Sequence, residues 1–440
     1  MHKVLVLGAG LVARPLVRHL LDHPGFHVTV ASRTVSKAER MINGHPQGQA
    51  ETFSITDADL LHHLVAEHDL AVSLLPYVHH VQVAKACIAH RKHMVTTSYV
   101  SDAMRALDEA AKDAGIVILN ETGLDPGIDH MSAMKIIHQV QGNGGEIVSF
   151  SSWCGGLPAP EANTNPFGYK FSWSPRGVIL AGRNSARFLR DGEEVAIPGQ
   201  ELFDNYWIVP IEGLGDFEGY PNRNSLPYIE TYGIPTTKEM FRGTLRNIGW
   251  CPTLKTLSEL GLFSNEERDD PNTLTFKELT AGLIGSAVED LKADLAAFLG
   301  IETDSLVMSN LEWLGLLSDD LLPAGQRTLL DVLAARMLEK MAYDPGERDM
   351  IILQHEFLAR YRDRQEKITS TLIDFGIPHG DSAMSRTVSL PAAIGVELIL
   401  EGQIGARGVQ TPVIPEIYEP VLAELEQLGI RCVETTEILA

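Results

Sequence analysis

From residue 3 to residue 7 the chain carries Lys3 and then an unbroken apolar run, Val4-Leu5-Val6-Leu7. It then meets Gly8-Ala9-Gly10-Leu11-Val12-Ala13, after which Leu16, Val17, Leu20 and Leu21 recur at helical spacing. A short apolar run stopped by glycines reads as a buried strand, and the three- and four-residue spacing as one face of a helix, so the pattern predicts strand, turn, helix. The same unit recurs in outline. Residues 26–31 end in Ser32-Arg33-Thr34; residues 69–75 lead into Pro76-Tyr77 and a helix from about Val81; residues 93–97 lead into Ser98-Tyr99; residues 116–119 lead toward Gly123-Leu124-Asp125-Pro126-Gly127. Strands alternating with helices predict a mainly parallel sheet with right-handed crossovers, and ligands of such sheets gather beyond the carboxyl ends of the strands. That rule alone puts Leu75, Thr97, Ser98, Tyr99, Leu124 and Asp125 on one rim with the glycine turn.

After a helix expected near Pro126, the spacer Gly142-Asn143-Gly144-Gly145 introduces a strand over 146–153. Segments 158–166, 169–173 and 220–228 read as ordered loops, the first and last of them rich in Pro and Asn, and together they read as a second α/β domain. From about 252 to 341 the periodicity becomes helical, as at 286–299, 311–317 and 329–341. Strands are expected at 349–358 and 367–375 and a helix at 383–400, with Arg360 to Arg364 as a hairpin turn. No period of 20 to 50 residues repeats.

The 440 residues make two or three domains the natural expectation. Net charge is −22, which repels nucleic-acid phosphate and anionic lipid, so neither nucleic acid nor a membrane is expected as a partner. With 44% hydrophobic and 21% charged residues the chain belongs with ordinary globular proteins. Cys87, Cys154, Cys251 and Cys432 form no CxxC pair, which reads as reduced thiols, and the run at 4–7 is too short for a signal or a membrane span. A cytoplasmic location is the corresponding expectation.

The glycine turn has the residue types of a dinucleotide site. Gly8 allows the tight turn, Gly10 lets backbone approach pyrophosphate, and small Ala13 lets helix and strand pack closely. At the end of the second strand, where an NAD enzyme would place a carboxylate on the ribose 2′-hydroxyl, stand Ser32, Arg33 and Thr34 with Lys37 nearby. A cation flanked by hydroxyls suits a 2′-phosphate, so NADP is favoured over NAD; as a solvated surface cation Arg33 would leave the choice open. His62, His63 and His68 fall in a predicted surface helix, and His79 and His80 lack supporting ligand spacing. All five read as solvated, with no metal.

Longer motifs are more specific: LLPY at 74–77, HMVTTSYV at 93–100, GLDPGIDH at 123–130, WCGGLPAPE at 153–161, GYKFSWSPRGV at 168–178, YPNR at 220–223, RGTLR at 242–246 and PGERD at 345–349. With these the chain resembles the L-glutamate-forming saccharopine dehydrogenase (saccharopine reductase) family over nearly its whole length. The resemblance implies NADP(H)-dependent interconversion of saccharopine and water with L-glutamate and 2-aminoadipate 6-semialdehyde, in lysine metabolism, by a homodimer. It implies an α/β fold in three parts: a Rossmann-like parallel-sheet domain of 1–125 plus 385–440, a second α/β substrate and dimerisation domain of 126–251 plus 346–384, and a mostly helical insert of 252–345.

Carried over by position, the family pattern puts substrate contacts on Ser98, Tyr99, Asp125, Arg223, Thr244, Leu245 and Arg246, and acid–base or water-positioning roles on Tyr99, Asp125 and Cys154. Cofactor contacts fall on Gly8 and on Gly10, Leu11, Val12 and Ala13, on Ser32, Arg33 and Thr34, on Leu75, Thr97 and Ser98, on Leu124, Asp125 and Pro126, and on Ser174. Bland roles compete at several positions: an Asp or Glu could pair with either Arg, Asp125 before Pro126 is a favoured helix cap, and Cys154 could be an inert buried thiol. A related imine-reducing dehydrogenase, such as a carboxynorspermidine dehydrogenase, and a non-catalytic NADP-binding sensor are the alternatives in function.

Overall fold

The computed structural model describes residues 1–267, 274–287 and 289–439. The chain forms two compact units, residues 1–147 with 359–440, and residues 148–358. In chain order the strands are β1 (His2–Leu7), β2 (Phe26–Ser32), β3 (Gly48–Thr52), β4 (Leu70–Ser73), β5 (His93–Thr96), β6 (Val117–Leu119), β7 (Glu146–Pro158), β8 (Ala186–Arg190), β9 (Glu193–Ile197), β10 (Trp207–Ile211), β11 (Gly215–Pro221), β12 (Glu239–Arg246), β13 (Asp349–Arg360), β14 (Gln365–Phe375), β15 (Gly408–Gln410) and β16 (Cys432–Leu439).

In the first unit seven strands lie in the order β15-β6-β5-β4-β1-β2-β3, every pair parallel. The uniform apolar run at 4–7 follows from burial on both faces: Val4, Leu5, Val6 and Leu7 are all fully buried, contributing about 1.5–3 kcal/mol each. One face packs on the helices Ala58–Glu67 and His80–His90 through Leu61, Val65, Val83, Ala84 and Cys87. The helix Ala383–Leu400 is long and apolar enough to cross a membrane by length and composition, yet 78% of it is buried inside the fold. It packs on the helices Arg14–Asp22 and Pro415–Gln427 as a core element. β15, from the far end of the chain, closes one edge of the sheet. β3 closes the other, and its polar, half-exposed sequence left no apolar run from which to predict it. Within this unit β14 also pairs antiparallel with β16, and the turn expected at Arg360 to Arg364 closes with Tyr361 N–H donating to Arg364 O at 2.8 Å.

Chain order reverses between β1 and β4: β2 and β3 build outward on one side, and β4, β5 and β6 on the other. A crevice beyond the carboxyl ends at such a switch point is where open α/β sheets bind ligands.

In the second unit β12 runs parallel to β7 and antiparallel to β11, with β10 beyond β11 and the β8–β9 hairpin joined to β12. An aromatic core of Trp153, Phe188, Trp207 and Phe241 fills one side. β7 runs on to Pro158, so Cys154 lies inside a strand where the sequence had suggested it follows one. Among the described residues, five helices, Trp250–Glu259, Phe276–Ile284, Leu291–Leu299, Leu306–Leu314 and Leu329–Lys340, occupy the stretch read as helical. The element expected over 286–299 begins only at Leu291, because Asp290 caps it by accepting from Ala293 N–H; Val288 lies outside the described residues.

Candidate active site

The predicted rim assembles from the ends of parallel strands. The glycine turn follows β1, Ser32 closes β2 ahead of Arg33 and Thr34, Leu75 stands just beyond β4, Thr97-Ser98-Tyr99 follow β5, and Leu124-Asp125-Pro126 lie past β6. Gly8 has φ +112°, and a Cβ there would come within 2.9 Å of Leu74 O, so only glycine fits between β1 and β4. At Gly10 a Cβ would meet no protein atom within 4 Å. Packing does not demand that glycine, whereas close approach of a pyrophosphate does. Helix Arg14–Asp22 has no side-chain cap at its N-terminus, Ala13 beneath it is fully buried, Val12 is half-buried and Leu11 is exposed. Within the first turn Pro15 has no N–H and Leu16 N–H donates to Ser389 Oγ at 3.2 Å, so what the helix end offers an anion is chiefly the positive end of its dipole. Arg33 is exposed, and among the described residues it has no ion-pair partner; beside it Ser32 Oγ accepts from Thr34 N–H at 3.3 Å. These residues fit a dinucleotide carrying a 2′-phosphate.

The loop after β5 is held by the loop after β6. Glu121, at φ +58°, donates its N–H to Ser98 O at 3.2 Å, accepts from Val100 N–H at 2.8 Å, and pairs with buried His130 at 2.8 Å. Thr122 Oγ1 donates to Thr96 O at 3.1 Å, and Asp129 accepts from Gly127 N–H at 2.5 Å. Tyr99 is thereby placed to donate its hydroxyl to Asp125 Oδ1 at 2.7 Å. Asp125 is not a helix cap: the helix Ile128–Gly142 starts after Gly127, and the Asp125–Pro126 peptide is cis. The roles of Glu121 and His130 were not read from the sequence, although for Glu121 a charged residue two positions past an apolar strand of a buried sheet was a usable signal.

Two histidines read as solvated are buried. His68 bridges Leu64 O at 2.7 Å and Thr29 Oγ1 at 2.8 Å. His80 is 4% exposed, and its nitrogens meet Ser73 Oγ and Ser98 Oγ, each at 2.8 Å. Helical periodicity could not show this, since the residues that bury His80 come from neighbouring strands.

In the second unit register brings three predicted groups together. Cys154 of β7 faces Thr244 of β12, which faces Tyr220 of β11. Arg246 lies two residues beyond Thr244, with Leu245 fully buried between them. The Arg246 guanidinium packs over the rings of Tyr169 and Trp250 at 5.0 and 5.5 Å. It is only 5% exposed; Nη1 donates to Leu245 O at 2.7 Å, and Nε has no acceptor among the described residues. No acidic side chain among those residues pairs with it. Glu218, its register partner on β11, is committed to Gly249 N–H at 2.7 Å and Cys251 N–H at 2.6 Å.

Burial alone would lower the Arg246 pKa, but Tyr220, Tyr169, Cys154 and Cys251 around it hold it above the ordinary value. Burial also pushes the Tyr220 phenol up to about 12, so it stays protonated. Arg223 is exposed in the turn after β11 at φ +56°, its carbonyl accepting from Arg187 N–H at 3.0 Å. Ser174 caps the helix Pro175–Ala181, accepting from Gly177 N–H at 3.2 Å.

Residues 4–119 match the model of the saccharopine dehydrogenase NADP binding domain, and residues 123–430 that of the saccharopine dehydrogenase C-terminal domain. The chain is 43% identical to the saccharopine dehydrogenase [NADP(+), L-glutamate-forming] of Pyricularia oryzae over 98% of each chain. It is 41% identical to that of Schizosaccharomyces pombe over 99% of each. Among solved structures, apo saccharopine dehydrogenase (L-Glu forming) from Saccharomyces cerevisiae superposes with a TM-score of 0.90 at 38% identity, covering 99% of this chain and 100% of that one. With matches of this extent, the chain belongs to the saccharopine dehydrogenase family.

Proposed function

We propose that the chain oxidises saccharopine at its secondary amine and hydrolyses the resulting imine to L-glutamate and 2-aminoadipate 6-semialdehyde, reversibly, in lysine metabolism. Bound NADP+ supplies the hydride acceptor. In the balance of the reaction a C–H bond and an N–H bond of the secondary amine are lost as hydride and proton, water adds to the imine carbon, and the carbon–nitrogen bond then breaks. Full-length likeness to enzymes named for this reaction disfavours the carboxynorspermidine dehydrogenase and sensor alternatives.

The observation that carries the reading within the molecule is Arg246, a buried cation with no carboxylate partner among the described residues. A buried unpaired charge is costly, and a ligand carboxylate arriving in bidentate geometry removes that cost. Arg223 offers a second, exposed guanidinium. The Tyr99–Asp125 pair presents a carboxylate and a phenol oxygen that already gives its proton to that carboxylate, an acceptor-rich arrangement suited to an ammonium N–H. Cys154 and Thr244 are the polar neighbours of Arg246 for ordering substrate or the hydrolytic water. On the cofactor side the turn from Gly8 to Ala13 takes the pyrophosphate and Ser32, Arg33 and Thr34 the 2′-phosphate, with Leu75, Thr97, Ser98, Leu124, Asp125, Pro126 and Ser174 as further contacts.

We assign cofactor binding to 1–125 plus 385–440, substrate binding and dimerisation to 126–251 plus 346–384, and a supporting role to 252–345, in a cytoplasmic homodimer. The test is NADP-dependent oxidation of saccharopine with product identification. Glutamate and the semialdehyde are expected; lysine and 2-oxoglutarate would assign cleavage of the other carbon–nitrogen bond and overturn the reading.

A further inference from the structure

His80 stands one step behind the rim, and its protons can be assigned by elimination. Thr96 Oγ1 donates to Ser73 O at 2.9 Å, which commits its only proton. Its 3.3 Å contact with His80 Nε2 therefore requires the imidazole nitrogen to be the donor. Burial, followed by the neighbouring His79, pushes the His80 pKa down to about 4, so the ring is neutral and carries that one proton. Nδ1 is then the acceptor, and Ser73 Oγ donates to it at 2.8 Å. At Nε2 the N–H points between Thr96 Oγ1 and Ser98 Oγ, so Ser98 accepts at 2.8 Å. The consequence falls on Ser98, half-buried next to Tyr99: its hydroxyl proton is not used toward His80 and is left for another acceptor.

We infer that His80 is a positioning residue that sets Ser98 as an obligate hydrogen-bond donor to a carboxylate oxygen of the substrate. The inference rests on the reading of Ser98 as a substrate contact. Were Nδ1 the protonated nitrogen instead, Ser98 would have to give its proton to Nε2 and would turn only lone pairs toward an anion, which repel it. The buried Ser73–His80–Thr96 set thus selects the sign of the Ser98 interaction without touching substrate itself.

The test combines kinetics with a spectroscopic readout on the intact enzyme. In the wild type, nitrogen NMR of 15N-histidine-labelled protein should report the Nε2–H tautomer for His80; an Nδ1–H tautomer would overturn the inference, with no variant needed. Ser98→Ala should raise KM for saccharopine about 10- to 100-fold, the range for a hydrogen bond to a charged group. His80→Leu should raise KM by a comparable factor when Ser98 is present and by nothing further in the Ser98→Ala background. His80→Gln, whose side-chain N–H can stand where the imidazole N–H stood, should restore most of the loss. Independent, multiplying effects of His80→Leu and Ser98→Ala would sink the coupling while leaving Ser98 a substrate contact. An unchanged KM in Ser98→Ala alone would instead remove the reading of Ser98 on which the inference stands.

Discussion

Arg246 shows how one residue can be read against its own stability. A guanidinium buried between Tyr169 and Trp250 without a carboxylate partner among the described residues is a poor choice for a packed interior, and a good one for a site that receives an anion. Arg246→Met, which keeps much of the volume and the ring contacts, is expected to leave the thermal midpoint unchanged or higher. It should raise KM for saccharopine by about 100-fold or more, as the loss of a bidentate charged pair does. Steady-state kinetics beside a melting curve check this, and a large fall in midpoint with unchanged KM would mark Arg246 as structural. Arg33 is the opposite kind of residue, exposed and inexpensive to hold. Arg33→Ala should lower kcat/KM with NADP about 10- to 100-fold while leaving kcat/KM with NAD nearly untouched, because only the 2′-phosphate contact is removed.

Helices are tied together by groups the catalytic argument does not use. His19 of the helix Arg14–Asp22 meets Glu397 of the helix Ala383–Leu400 at 3.0 Å and Glu424 of the helix Pro415–Gln427 at 3.3 Å. Burial lowers the His19 pKa, but the hydrogen bond and charge of Glu397, with Glu424 and Asp22, outweigh it and leave the pKa above the ordinary 6.5. Glu424 is raised as well, first by burial and then by Glu397 beside it. Both shifts make the folded state bind more protons than the unfolded one. The His19 contribution is therefore fully present below the unfolded pKa and is lost as pH rises through the folded one. Melting curves from about pH 6 to about pH 9 should show the wild type losing its advantage over His19→Gln across that window; a difference that grows with pH would contradict the pairing.

At the scale of the whole molecule the charge of −22 describes the exterior, while the proposed chemistry depends on a few cations, Arg33, Arg223 and Arg246. The homodimer proposal has a physical candidate in β16. It lies at the end of its strand order, hydrogen-bonded to β14, and exposes Val433 at 58% and Ile438 at 68%. An exposed strand edge with apolar side chains is a ready template for a second chain. Light scattering should give twice the chain mass, and Val433→Lys with Ile438→Lys should shift it toward the monomer. If the double substitution leaves the dimer intact, this edge is not the interface.

What the sequence by itself determined was whatever local periodicity and steric demand encode. The parallel βα units, the glycine turn after the first strand, the carboxyl-end rim and the cationic end of β2 were all legible, since each depends on residues within a few positions of one another. The match of long ordered loops to one family was legible for the same reason. Tertiary structure alone decided the rest. β15 reaches the sheet from the far end of the chain, and the polar edge strand β3 is held by pairing with β2 and carries no apolar signal of its own. His80 and His68 are buried by partners on other elements, Asp125 is released from helix capping because the helix starts at Ile128, and Arg246 is left without a carboxylate because Glu218 is committed to two backbone N–H groups. Such facts belong to pairs of residues distant in sequence, and a one-dimensional pattern records the chemistry of each partner while leaving unrecorded which partner it meets.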